Sequence, residues 1–146
     1  NATSHIYTAD VTIEPLEDLL VTASFSRTDA KTETTNTLSS SVASPAFNAD
    51  VDTWLLNTSY ALRPDVVLTG SFLYSKADNF NNFISTGEPH GTDFDRFDVT
   101  TGVQWTVSED TSIEADYAFY TYDGNPDVDR GDYDAHVVWL EFSNSL

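Results

Sequence analysis

The sequence predicts an all-β chain, seven strands in an antiparallel up-and-down meander, and three observations predict it. Apolar residues recur at every second position, the side-chain period of a strand, and no stretch of comparable length repeats at the 3.6 residues of a helix. Tight turns rich in Pro and Asp alternate strictly with long polar stretches. The runs between them are about ten residues long and bounded by turn-forming residues.

The first strand, about 5–14, sets Tyr7, Ala9, Val11 and Ile13 against Thr8, Asp10, Thr12 and Glu14. Pro15-Leu16-Glu17-Asp18 turns the chain into the second, about 19–28, where Leu19, Val21, Ala23 and Phe25 alternate with Leu20, Thr22, Ser24 and Ser26. A polar stretch of roughly 29–51 leads to the third strand, about 52–62, with Trp54, Leu56, Tyr60 and Leu62 opposed to Asn57, Ser59 and Ala61. After Arg63-Pro64-Asp65-Val66 comes the fourth, about 67–77, which places Leu68, Gly70, Phe72 and Tyr74 against Thr69, Ser71 and Leu73. A second long stretch, 78–94, precedes the fifth, about 95–107, where Val99, Val103, Trp105 and Val107 oppose Asp98, Thr100, Gly102 and Gln104. Ser108-Glu109-Asp110-Thr111 then turns into the sixth, about 112–122, with Ile113, Ala115, Tyr117 and Phe119 against Glu114 and Asp116. The third long stretch, 123–132, is followed by the seventh, about 133–142, carrying His136, Val138, Leu140 and Phe142.

Thr32 to Ala43 could be parsed as an eighth strand, but only Leu38 and Val42 there suit an apolar phase, which favours seven. Residues 1–146 are thus expected to form one segment, with every short turn at one end and every long loop at the other. The strands after the three turns also resemble one another: Val21-Thr22-Ala23-Ser24-Phe25, Leu68-Thr69-Gly70-Ser71-Phe72 and Ile113-Glu114-Ala115-Asp116-Tyr117, a weak repeat of about 45 residues.

Composition removes several function classes. With 24 Asp and Glu against 6 Lys and Arg, a formal charge of −18, and the basic residues scattered, there is no groove for phosphates and no nucleic-acid partner is expected. No cysteine means no disulfide, thiol nucleophile or thiolate metal site. The three histidines, His5, His90 and His136, fall in separate segments without ligand spacing. No nucleophile stands beside an evident positioned base, so the chain is not read as an enzyme. Aromatics at 13 % argue for a structured chain despite the acidity.

What meets the apolar faces is indicated by three further features. Strands of about ten residues exceed the usual five or six of soluble sheets and match the ~9 to 11 that cross a bilayer at a tilt. Aromatics gather toward strand ends, at Trp54, Tyr60, Tyr74, Trp105, Phe119 and Trp139. Arg27, Lys31, Lys76, Arg96 and Arg130 fall near the long-loop end and Arg63 in a short turn, which leaves mid-strand positions free of cations.

The tight Arg63-Pro64-Asp65 and Ser108-Glu109-Asp110 turns, the long Asp/Asn/Gly loops and the two-faced strands resemble a transmembrane β-barrel of the bacterial outer membrane, porin-like in architecture. His136-Val137-Val138-Trp139-Leu140-Glu141-Phe142 is similar to the C-terminal insertion signal of such barrels, although Ser143-Asn144-Ser145-Leu146 follows in place of a terminal aromatic. The resemblance implies short periplasmic turns, long extracellular loops and an even strand number. Seven is odd, so the segment is expected to be the C-terminal part of a larger barrel, whose remaining strands come from the same chain or another. Asn1, standing where Met would begin a complete chain, fits that expectation.

On this reading Asp10, Asn57, Asp98, Gln104, Glu114 and Asp116 line the lumen with the small Ser and Thr residues, and the acidic members favour passive passage of cations. The same wall could instead be a scaffold around a lumen-filling protein partner. Membrane lipid and lipopolysaccharide are the implied surroundings, and no cofactor is required. One loop carries a metal-like spacing, Asp123, Asn125, Asp127 and Asp129, with oxygen donors at alternate positions suited to Ca²⁺ but without the Gly position and terminal Glu of an EF-hand. The competing class is a soluble secreted β-sandwich or adhesin module that binds Ca²⁺ or glycans through these Asp-rich loops.

Overall fold

The computed structural model describes residues 2–32, 47–78, 81–82, 89–90, 93–124 and 132–144, and these are all strand, tight turn or short connection. The period-two runs become β1 (Ala2–Leu16), β2 (Leu19–Thr32), β3 (Phe47–Arg63), β4 (Val66–Asp78), β7 (Asp93–Ser108), β8 (Thr111–Gly124) and β9 (Tyr133–Asn144), with the two-residue strands β5 (Asn81–Asn82) and β6 (Pro89–His90) between β4 and β7. The seven long strands form one antiparallel sheet in the order β1-β2-β3-β4-β7-β8-β9, and β5 pairs only with β6. The chain is therefore the expected all-β meander, and the sheet is open, not closed on itself. Among the described residues there is no helix.

The strands run further than their apolar alternation, mostly at the long-loop end. β2 and β3 stay paired from Leu19↔Tyr60 up to Thr32↔Phe47, well inside the stretch read as a loop over 29–51. The ladder needs only backbone partners, and polar pairs support it there: the Arg27 guanidinium donates to both oxygens of Asp52 at 3.3 and 3.4 Å. Apolar periodicity marks the part of a strand that meets an apolar phase and is silent about its polar extension. The parse of Thr32 to Ala43 as a strand falls almost wholly outside the described residues.

The short turns are built alike. A register shift precedes each, between Ile13 and Leu16, Ala61 and Arg63, and Thr106 and Ser108. The first turn needs one residue at positive φ, and Asp18 supplies it at 68°, a conformation that Asp tolerates better than most residues. Asp18 accepts a backbone hydrogen bond from Ala61 at 2.9 Å and Asp65 one from Thr106 at 2.8 Å, so the first two turns each hook the equivalent place on the next hairpin. The weak sequence repeat therefore coincides with a repeated joint.

Register also sets a tilt. Level with Leu19, at the foot of the first hairpin, lie Tyr60 and Leu68 of the second and Val103 and Ala115 of the third, each pair further from its own turn than the pair before. Successive hairpins descend by roughly one residue per strand. With ~3.3 Å per residue along a strand and ~4.8 Å between strands, that stagger corresponds to a tilt of roughly 35°, at the lower edge of the 35–45° typical of barrels.

No core lies within this single layer. The only buried hydrophobic residues are Val66, Ala77 and Ala118 among those described, and no large side chain is fully buried.

Candidate functional site

The ladder sorts side chains onto two faces with opposite chemistry. On one face, cross-strand rows place Val11, Ala23, Leu56, Phe72, Val99, Phe119 and His136 side by side, and below them Leu68, Val103, Ala115 and Leu140. Rings tile its upper part: Phe25 lies 5.3 Å from Trp54, Trp54 5.6 Å from Tyr74, Phe72 5.1 Å from Phe97, and Phe119 4.9 Å from His136. The polar atom of His136 that this face would strand is matched, since Nδ1 lies 2.8 Å from the Tyr117 hydroxyl. From Phe97 to Trp105 the apolar stripe of β7 is about 27 Å long at ~3.4 Å per residue, which the tilt projects to roughly 22 Å, close to the ~25 Å apolar band of outer-membrane barrels.

The other face carries Asp10, Thr12, Thr22, Ser24, Ser26, Asn57, Ser59, Thr69, Ser71, Thr100, Gln104, Glu114 and Asp116. All six residues singled out as lining a lumen project from it. Their surroundings differ. Asp10, Asn57 and Gln104 are exposed, and Glu114 is half-buried between Gln104 and Glu141, its direct neighbours on the flanking strands. Asp98 is buried, and its charge is already matched by Arg96, whose Nε donates to it at 3.0 Å and whose terminal nitrogen makes a second, shorter bond. Its weight as an attractor of free cations is correspondingly small. Arg96, read from sequence only as a loop-end cation, reaches down the strand to do this.

Asp116 is the opposite case. It is 7 % exposed and its Oδ2 has no hydrogen-bond partner. Its cross-strand neighbours are Gly102 and Trp139. A Cβ at Gly102 would stand 2.0 Å from Asp116 Oδ1 and 2.7 Å from Thr69 Oγ1, so the missing side chain is the space into which both oxygens lean. Glycine inside a strand is the sequence signal for such a close approach, but the sequence reading placed Gly102 on a strand face without drawing it.

Two expectations need correction or bounding. Trp139, grouped with the aromatics of the strand ends, stands mid-strand on the polar face opposite Asp116, because odd-numbered positions of β9 share the face of Glu141 and even-numbered ones that of Leu140. In the Ca²⁺-like loop, Asn125, Asp127 and Asp129 lie outside the described residues, while Asp123 is exposed at the end of β8 opposite Asp95. Among the described residues no three His, Asp or Glu side chains are grouped to hold a metal. A feature the sequence did not suggest is the row Phe94, Tyr122 and Tyr133 at the long-loop end of the polar face, with ring centroids 5.6 Å apart in both pairs.

No family model matches this chain, and neither a curated protein nor a solved structure matches it.

Proposed function

We propose that this chain forms part of the wall of a water-filled β-barrel in a bacterial outer membrane, one that passes small cations in preference to anions, with its long loops outside the cell. The observation that carries the reading is one sheet with an apolar face and a mainly polar face, neither of them covered by another described element. Seven strands at ~4.8 Å and a stripe of about 27 Å give an apolar face of roughly 900 Å², above the ~300–600 Å² of the largest patch on a typical soluble monomer. Val138, Leu140 and Phe142 are 77, 74 and 65 % exposed, which lipid tolerates and water does not. The Ser, Thr and carboxylate face suits water, and acidic groups at a low-dielectric wall concentrate cations.

β1 and β9 run in the same direction at opposite edges of the sheet. An antiparallel wall therefore closes only with an odd number of further strands, supplied by the same chain or another, and such closure removes the unpaired edges. The test begins with fractionation of the native protein. Release only by detergent, with gel mobility that changes on heating, supports an embedded barrel; release into plain buffer as a monodisperse β-rich species overturns it in favour of a soluble sandwich. In planar bilayers the wild type should prefer cations. Neutralising Asp10, Glu114 and Asp116 together should bring the cation-to-anion permeability ratio close to unity, and an unchanged ratio would remove these residues as its cause.

A further inference from the structure

We propose that the free edge of β9 docks an antiparallel strand from outside these 146 residues, one that carries a planar side chain opposite Tyr133 and a Lys or Arg opposite Glu141. The proposal deepens the barrel reading and rests on it. Sheet edges that stay unpaired are blunted by Lys, Pro, a bulge or brevity. β9 has none of these: its 12 residues include no Lys or Pro, and its ladder with β8 runs from Thr111↔Asn144 to Tyr122↔Tyr133 without a shift in register. β1, at the other edge, holds Pro15 within a shift between Ile13 and Leu16. Exposure also doubles at β9. In the row Tyr60, Leu68, Val103, Ala115 and Leu140, the first three are 37–38 % exposed and Leu140 is 74 %. Elsewhere in the sheet a further strand covers what is open there.

A second copy of the chain does not fit that edge. Copies that keep their long loops outside the cell share one orientation, and β1 and β9 run in the same direction. Either edge of a neighbouring copy would therefore meet β9 in parallel, against the antiparallel pairing of the whole sheet.

Two rows on the polar face stop short at β9 and set the chemistry of the docked strand. The rings of Phe94, Tyr122 and Tyr133 succeed one another at 5.6 Å with planes 23° and 11° apart, and the last ring, Tyr133, is 53 % exposed. An aromatic ring or a guanidinium continues such a stack. Eight positions along the same face, Glu141 directly opposes Glu114, and neither β8 nor β9 carries a Lys or Arg. Like charges directly opposed on a sheet destabilise it, and a cation on the other flank of Glu141 offsets them.

Two measurements on the native protein in outer membranes test the docking. The first reads a sign: the folded fraction, seen as heat-modifiable gel mobility, is followed through a urea series for wild type and Glu141→Gln. Beside an open edge the substitution only relieves repulsion and raises the urea midpoint; opposite a docked cation it should lower the midpoint, by less in ~1 M NaCl than at low salt. The second reads the neighbour: Tyr133→p-benzoylphenylalanine, or Val137→p-benzoylphenylalanine if that variant does not fold, is irradiated and the joined peptides are sequenced by mass spectrometry. Besides β8, the products should include a peptide from outside these 146 residues that alternates in polarity, with Lys or Arg eight positions from a planar residue. A raised midpoint, a joined strand without that basic residue, or products confined to β8, lipid or another copy of this chain overturns the proposal. The barrel reading fails separately: the expected peptide joined to a protein that plain buffer releases keeps the docking edge and discards the membrane wall, and detergent-dependent extraction with a raised midpoint does the reverse.

Discussion

Val138 offers a direct test of what covers the apolar face, because its neighbour Val137 points the other way. Val138 is 77 % exposed and Val137 40 %. If lipid covers Val138, stability should follow the apolar area offered to it. A buried methylene is worth ~0.8 kcal/mol, and about three quarters of the side chain meets the surrounding phase, so Val138→Ile should gain roughly 0.6 kcal/mol. Val138→Ala, two carbons smaller, should lose roughly 1.2 kcal/mol by the same scaling. Val138→Lys should lose about 2–4 kcal/mol near the bilayer midplane, while Val137→Lys should change stability by less than about 1 kcal/mol. Urea titrations of the protein folded into lipid vesicles, followed by tryptophan fluorescence, measure all four. The sign of the Ile variant is the decisive part, since overpacking a close-packed protein core typically costs ~1–3 kcal/mol. Destabilisation by both Ala and Ile would refute a lipid-facing surface, as would equal costs for lysine at 137 and 138.

Other expectations concern the polar face and the joints between faces. Arg96→Gln leaves the buried Asp98 carboxylate unmatched and should cost roughly 1–3 kcal/mol, less than a fully buried pair because Arg96 is half exposed; adding Asp98→Asn should recover most of it in denaturant unfolding. Gly102→Ala puts a methyl 2.0 Å from Asp116 Oδ1 and should cost about 1–3 kcal/mol, most of it relieved by Asp116→Ser in the same assay. Tyr117→Phe strips His136 of its 2.8 Å partner on the apolar face, and in lipid this should cost roughly 1–3 kcal/mol; a cost near zero would mean that water reaches the ring.

The meander was legible because period-two alternation and the order of short and long connections are local properties of the chain. The faces were legible for the same reason: Asp10, Asn57, Asp98, Gln104, Glu114 and Asp116 fall on one side simply by parity with their neighbours. Pairing partners were not, since register depends on where each turn places its bulge, as at Ala61/Arg63 and Thr106/Ser108. Without register, Asp116 could not be assigned to the space above Gly102; Arg96 and Asp98, two apart on one strand and so on one face, needed no register, but the sequence reading treated Arg96 only as a loop-end cation and the two acids looked equivalent. Trp139 was misplaced because its residue type, suited to an interface, was given more weight than its odd position between Val138 and Leu140. Strand ends were underestimated wherever polar pairs such as Arg27 and Asp52 continue the ladder beyond the apolar stripe.

If one face of the sheet meets lipid and the other water, the two phases of a single strand differ in their access to a charged reagent. These 146 residues hold no cysteine, so a thiol introduced at each position of β7 from Phe97 to Trp105 is the only one among them, and reaction is compared with that of the unsubstituted protein. Reaction with a charged, membrane-impermeant thiol reagent in intact outer membranes is predicted to alternate along the strand, fast at Thr100 and Gln104 and slow at Val99, Thr101, Val103 and Trp105, the buried Asp98 and the crowded Gly102 being left out of the comparison. Uniform reactivity along β7, or an alternation of the opposite phase, would contradict it.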